Sequence, residues 1–373
     1  MSVKRKLHLT AQERQMYKWI ARIVASYSNV QLKDTDRVPP ELCQELSDIG
    51  QFAEIMYSGT PIGDLVKHYD ILSPPGFPLE GYTALDGVVV ESAFAGDVAN
   101  LPATIFWRPS RQQIVVSICG TKLASQALQD VRVLKTKHPS GKGQVHTGFW
   151  SLYAGLRDHL KAGLREALDS RKPTEVVLTG HSMGGAVAYL LGIDLLAEDQ
   201  EPAPGARPLL RSFETGSQGS GPALVIKIVS FGMPRVGDQA LVDHFHSLVV
   251  LYRGRYGHDR LAEFSVRTYN DGVPALPPLT LGYRHFSLQP IYAANNTLYY
   301  IPTAEKERTL FHVQDDEGSN PVLFPRGGHN YYGGRDLERL QRRLVWLEKS
   351  GFINGHEKWG NRYRSMVEKT SPP

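Results

Sequence analysis

The run Gly180-His181-Ser182-Met183-Gly184 lies between a β-branched stretch, Glu175 to Thr179, and a small-residue, helix-forming stretch from Gly184 onward. A serine hydroxyl is a weak nucleophile at neutral pH and needs both a neighbouring base and a geometry that presents it to substrate. A sharp strand-to-helix turn supplies that presentation by holding the serine in a strained backbone conformation. Residues two places to either side must then be small, because side chains there would strike the crossing backbone. Gly180 and Gly184 meet that requirement, and Gly185, Ala186 and Ala188 let the following helix lie close to the sheet. The turn also points the helix N-terminus at the serine, so the amide of Met183 is a candidate donor to a developing oxyanion.

A hydroxyl nucleophile of this kind requires a histidine and an acid, in the chain order serine, acid, histidine. Acids at the C-terminal ends of strands are the natural candidates, because that edge of a parallel sheet carries the site. Asp271 directly follows "EFSVRTYN" and opens the turn "GVPALPP"; Asp238, after "SFGMPRVG", is the competitor. Beyond Asp271 stand His285, His312, His329 and His356. His312 falls in strand-like "RTLFHVQ" and His356 in a polar terminus. His329 falls in the glycine-rich loop "PRGGHNYYGG" before the helical "RDLERLQRRLVWLEK", and loops commonly hold catalytic groups, so His329 is favoured over His285.

The elements around these residues read as follows. "DGVVVESAF", "LPATIFWRP" and "RQQIVVSICGT" are short strands bounded by Gly, Pro and Asn. From residue 146 the pattern alternates: a helix over 148–169, strand "EVVLT", a helix over 184–198, strand "LVIKIVSFG", a helix near 239–248, strand "EFSVRTY". Such alternation predicts an α/β fold with a mostly parallel central sheet covered on both faces. Residues 198–221, rich in Pro, Gly and Ser, read as a surface insertion. Its "GSQGSG" lacks the strand-to-helix setting of a phosphate-binding loop.

Residues 10–28 predict an amphipathic helix with Met16, Ile20, Ile23 and Tyr27 on one stripe. It reads either as a helix packed on the core or, with six Lys or Arg against Glu13 in the first 24 residues, as a membrane-surface helix. The segment from there to residue 80 reads as helical. Three parts are therefore expected: an N-terminal helical extension over 1–82, an α/β domain over 83–350, and a polar C-terminal tail over 351–373.

With 373 residues, 41% hydrophobic and 21% charged, the composition is that of a globular protein with a sizeable core. A formal charge of +4 is too small to argue for nucleic acid, though it favours an anionic membrane surface over a neutral one. Cys43 and Cys119, far apart, suggest neither a disulfide framework nor a metal site. His244 and His246 read as a solvated helix end, and no cofactor is expected. The N-terminus lacks the apolar core of a secretory signal, and no stretch reaches the ~20 apolar residues a spanning helix needs. A cytoplasmic location, or one peripheral to intracellular membranes, is the expectation; on it the Asn295 sequon is idle.

Six blocks in order, "VVSICGT", "VHTGFWSLY", "VVLTGHSMGGAVAYLL", "SFGMPRVGD", "YNDGVPALPP" and "HNYYGG", resemble the class 3, fungal-type lipase family of the α/β-hydrolases, over about residues 83–345. The resemblance implies Ser182 as nucleophile, Asp271 as acid and His329 as base. It also implies Thr121 as the second oxyanion-hole group beside Met183. Residues 122–138 stand in the place of the family's lid, with Leu123, Ala127, Leu128 and Val131 as an apolar face; the plain alternative is a connecting helix.

Two departures are visible. Cys119 stands where the family usually has Arg, and Gly328 precedes the late histidine where an Asp is common. The implied function is hydrolysis of acylglycerol esters through an acyl-enzyme, with a lipid or small ester as substrate and a membrane or lipid-droplet surface as the place of action. Phospholipase A1 and feruloyl-type esterase are the alternatives within the same chemistry. A catalytically silent lipid-binding module is the alternative outside it.

Overall fold

A computed structural model describes residues 25–120, 134–202, 204–205, 207–211, 224–294, 297–314 and 328–369. In chain order the strands are β1 (Tyr27–Leu32), β2 (Val89–Ala95), β3 (Pro102–Arg108), β4 (Gln113–Ile118), β5 (Lys135–Lys137) and β6 (Gln144–His146). They continue as β7 (Glu175–His181), β8 (Val225–Phe231), β9 (Leu261–Thr268), β10 (Pro290–Ala294), β11 (Thr297–Tyr300) and β12 (Leu310–Val313). The helices are α1 (Pro40–Ile55), α2 (Ile62–Lys67), α3 (Tyr69–Leu72), α4 (Thr147–Arg171), α5 (Met183–Gln200), α6 (Gln239–Tyr256), α7 (Leu337–Ser350) and α8 (Trp359–Glu368).

Eight strands form one sheet in the order β11-β10-β9-β8-β7-β4-β3-β2. The five from β4 to β10 run parallel, and antiparallel pairs close both edges. Parallel strands buried on both faces require continuous apolar runs rather than alternation. β4 (QIVVSI) is buried at every position, and β7 is buried beyond Glu175.

Val116, Leu178 and Ile228 stand side by side across β4, β7 and β8. They face α5, whose Gly192 lets the helix settle onto Ile228 and Leu178: a Cβ there would stand 2.6 Å from Ile228 Cδ1. On the opposite face Ser117 Oγ donates to Phe52 O of α1 at 2.9 Å, and Phe52 meets Phe106 edge-on at 5.2 Å between centroids. The sheet is thus sandwiched, with α1 behind β7 and α5 in front.

The N-terminal extension differs from expectation. Tyr27 and Ser28, the end of the expected amphipathic helix, belong to β1, which pairs in parallel with β12, and residues 25–26 before them are not helical; residues 10–24 lie outside the described residues. Leu32 is fully buried beside Tyr292, Phe311 and Val313, so long-range pairing overrides the local helical pattern. Helices do follow, and α1 packs against the sheet as a structural layer of the α/β body.

The terminus read as a polar tail contains α8. Its Tyr363 is fully buried and stacks on Phe77 at 5.2 Å, while Trp359 meets Phe352 edge-on at 4.9 Å. Trp359, Tyr363 and Val367, at intervals of four, make the apolar stripe of this helix.

Helix α6 continues to Tyr256, placing His244 and His246 in mid-helix; His246 shares a hydrogen bond with Phe286 O at 2.8 Å. The segment read as a surface insertion is partly core: Leu209 and Leu210 are buried, and Asp199, fully buried, is held by Arg211 at 3.0 Å and Arg255 at 3.0 Å. Of the lid segment, residues 121–133 lie outside the described residues. Lys135–Lys137 form a strand paired with β6, so a helix does not continue through them.

Candidate active site

Strand β7 ends at His181 and α5 begins at Met183, leaving Ser182 as the hinge, with φ 58° and ψ −129°. That conformation costs on the order of 1–3 kcal/mol for a residue with a side chain and persists only where surroundings enforce it. Enforcement is visible: Ser182 N–H donates to Phe231 O at 2.7 Å, and Gly185 N–H to Ser182 O at 3.1 Å. A Cβ on Gly180 would stand 2.3 Å from Gly184 C, and one on Gly184 would stand 2.1 Å from Ile118 O. Both glycines are thus demanded by backbone crossing backbone. Met183 opens α5, with its amide at the positive end of that helix. Thr121 lies outside the described residues; Gly120 before it is clasped at the elbow, where a Cβ would meet His181 O at 2.6 Å.

Asp271 follows β9 by three residues. Asn270 adopts φ 59°, a left-handed conformation that asparagine tolerates, and turns the chain so that Asp271 points inward. The Asp271 carboxylate is fully buried and takes three donors: His329 Nδ1 at 2.9 Å and Tyr332 Oη at 2.6 Å, both on Oδ2, and Val273 N–H at 2.9 Å on Oδ1. Burial, then the adjacent carboxylate, pushes the Tyr332 phenol well above its ordinary value, so it remains a donor. With Nδ1–H donated to Asp271, Nε2 becomes the basic nitrogen of the His329 ring.

The His329–Asp271 pair packs against Gly232, which has φ 60° and follows Phe231, the residue whose carbonyl accepts Ser182 N–H. A Cβ there would stand 2.8 Å from both Asp271 Oδ2 and Tyr332 Oη, and 3.2 Å from His329 Cε1. From the elbow side the ring of His181 lies 4.5 Å from that of His329, centroid to centroid. The three residues singled out by sequence are therefore gathered from β7, the turn after β9 and the loop before α7. Gly328, where the family often has Asp, sits so close to Tyr269 that a Cβ would be 2.0 Å from its carbonyl oxygen.

The competitors are placed elsewhere. Asp238 caps α6, accepting from Leu241 N–H at 3.0 Å. His285 is fully buried against Pro274 O at 2.8 Å, and burial together with Arg267 and Arg235 keeps it neutral. His312 stacks on Tyr27, and His356 Nδ1 accepts from Lys358 N–H. Sequence reasoning missed Tyr332, Gly232 and His181. The first stood in plain sight in the block His329-Asn330-Tyr331-Tyr332, but nothing local says that its hydroxyl reaches Asp271.

A mostly parallel sheet with a serine on a sharp strand-to-helix bend defines the α/β-hydrolase class. Within that class, residues 115–281 match the lipase (class 3) family. It is 28% identical over 203 residues to a secreted mono- and diacylglycerol lipase of Fusarium solani, covering 54% of this chain and 50% of the other. It is 27% identical over 179 residues to a lipase of Rhizomucor miehei, covering 47% and 40%. The chain thus spans half or less of the length of these relatives. In structure it is similar to the Rhizomucor miehei lipase in its propeptide complex, with TM-score 0.59, 17% identity and 91% of each chain covered.

Proposed function

We propose that the chain is a serine carboxylic-ester hydrolase acting on acylglycerols, with Ser182 as nucleophile, His329 as base and Asp271 as the acid that steadies it. The observation that carries this is the buried His329–Asp271 hydrogen bond at 2.9 Å, set beside a serine on a strained elbow. In the reaction, His329 Nε2 takes the Ser182 proton while Oγ bonds to the ester carbonyl carbon. The resulting oxyanion collapses, the alcohol leaves with the proton from His329, and water, deprotonated by the same ring, cleaves the acyl-enzyme. Backbone amides at the start of α5, Met183 first, and Thr121 are the proposed stabilisers of the oxyanion. The similarity to mono- and diacylglycerol lipases supports an acylglycerol over a carbohydrate ester. Action at a membrane or lipid-droplet surface is part of the same proposal. Among the described residues no helix is long and apolar enough to cross a membrane.

Replacing Ser182 with Ala should lower hydrolysis of a soluble p-nitrophenyl ester by roughly 10⁴-fold or more; retained turnover would overturn the assignment. A substrate panel of diacylglycerol, triacylglycerol and a phosphatidylcholine, assayed below and above their solubility limits, tests the class. Preference for the phospholipid sn-1 ester would replace acylglycerol with phospholipase A1.

A further inference from the structure

The residue between the elbow glycine and the nucleophile, His181, is almost wholly buried, and both of its ring nitrogens are engaged. Nε2 lies 2.7 Å from the backbone carbonyl of His329, and Nδ1 lies 2.7 Å from the hydroxyl of Tyr57. A carbonyl can only accept, so Nε2 carries the proton; Nδ1 is then an acceptor, and the Tyr57 hydroxyl donates to it. Tyr57 follows α1, the helix on the far face of the sheet, and Gly120 makes room for its phenol: a Cβ at Gly120 would stand 2.0 Å from Tyr57 Oη. A continuous set of contacts therefore runs from α1 through Tyr57 and His181 to the backbone of His329.

We propose that His181 is a positioning residue for the base, holding the His329 backbone at its distance from Ser182 through the Tyr57–His181–His329 chain of hydrogen bonds. This rests on the reading of Ser182, His329 and Asp271 as the reacting group. Asp271 grips the His329 ring at Nδ1 and sets its rotation, while the position of the ring also depends on the loop that carries it. Beside that loop a small cavity lined by Gly50, Glu54, Phe231, Tyr332 and Leu337 reaches to His181. The hydrogen bond from His181, at the end of β7, ties the backbone of that loop to the strand that carries the serine. Burial, with the His329 ring beside it, keeps His181 neutral, so it carries no second positive charge toward an imidazolium forming on His329.

Three variants test this: His181→Phe, which removes both hydrogen bonds; His181→Gln, whose amide can donate to the His329 carbonyl and accept from Tyr57; and Tyr57→Phe. Each is first checked for a folded state by near-ultraviolet circular dichroism and melting, then assayed for kcat, KM and inactivation by an activated phosphonate ester. Misplacing a catalytic group by about 1 Å can cost on the order of 100-fold. The expectation is therefore a kcat and phosphonate rate roughly 10- to 100-fold lower in His181→Phe, with KM unchanged. His181→Gln should recover most of the loss, and Tyr57→Phe should fall between. Folded His181→Phe with kcat and phosphonate rate within about twofold of the parent would overturn the proposal. If His181→Phe does not fold, the same result in Tyr57→Phe overturns it. Ser182→Ala run alongside separates the two levels: phosphonate labelling that survives in it sinks the nucleophile assignment, whereas labelling lost there but unaltered in the His181 and Tyr57 variants sinks only the positioning role.

Discussion

The hydroxyl of Tyr332 and the imidazole of His329 donate to the same oxygen of Asp271, at 2.6 Å and 2.9 Å. One carboxylate oxygen thus anchors two side chains of one loop, three residues apart, and the tyrosine acts as a second pin on the acid. Hydrogen bonds to charged groups contribute about 1.5–3 kcal/mol. Replacing Tyr332 with Phe should lower kcat on a soluble ester by roughly 10-fold with little change in KM. Unaltered kcat in the folded variant would reduce Tyr332 to packing.

Asp271 and Asp238 are separated by what they hold. Asp271→Asn should cost on the order of 10⁴-fold in kcat, since an amide facing Nδ1 disfavours the required tautomer. Asp238→Ala should leave kcat in place and cost about 1 kcal/mol of stability, the usual effect of losing a helix N-cap. The pair is read by steady-state kinetics and chemical denaturation, and an exchange of the two phenotypes would move the acid.

Gly328 immediately precedes His329, and its α-carbon faces the Tyr269 carbonyl with no room for a methyl group. Gly328→Ala should destabilise the chain by about 1–3 kcal/mol and depress kcat together with it, because the strain is relieved by moving the base. Gly254, within α6, has nothing within 4 Å of a Cβ. Gly254→Ala should instead raise stability by about 0.5–1 kcal/mol. Melting curves of the two variants check the contrast.

Glu263, fully buried on β9, is pushed up to about 7 by burial, even though the amides of Leu288 and Gln289 donate to it. From its ordinary value of 4.5 up to about 7, the folded chain holds this proton while the unfolded chain has lost it. Stability from this group is therefore fully present at low pH, declines through that window and is level above it, a span on the order of 3 kcal/mol. His138 and His146, both lowered to about 4 by burial, run the opposite way below their ordinary 6.5. They are common to parent and variant. Glu263→Gln should accordingly be more stable than the parent at pH 8 and lose that advantage near pH 4.5, as measured by urea denaturation at both. A constant difference between the two would place the Glu263 proton elsewhere.

Much of the site was legible in the linear order of residues because its geometry is local. The elbow is set by Gly180, Ser182 and Gly184 within one strand-to-helix turn, and strands β2, β3, β4, β7, β8 and β9 announce themselves by β-branched runs between turn residues. Asp271 and His329 could be ranked, since each sits in a turn at the end of a periodic element.

What the linear order left open depended on distance along the chain. Tyr27 looks helical until Leu310 pairs with it, and Tyr363 sits in a polar segment until Phe77 stacks on it. Asp238 and Asp271 are equally acidic on paper; only the folded chain gives one to a helix end and the other to His329. Likewise the Tyr57 hydroxyl meets the His181 ring across 124 positions. The physical reason is one of range: backbone propensity and turn chemistry act over a few residues. Which buried polar group satisfies which other is decided when the sheet and its helices close around them.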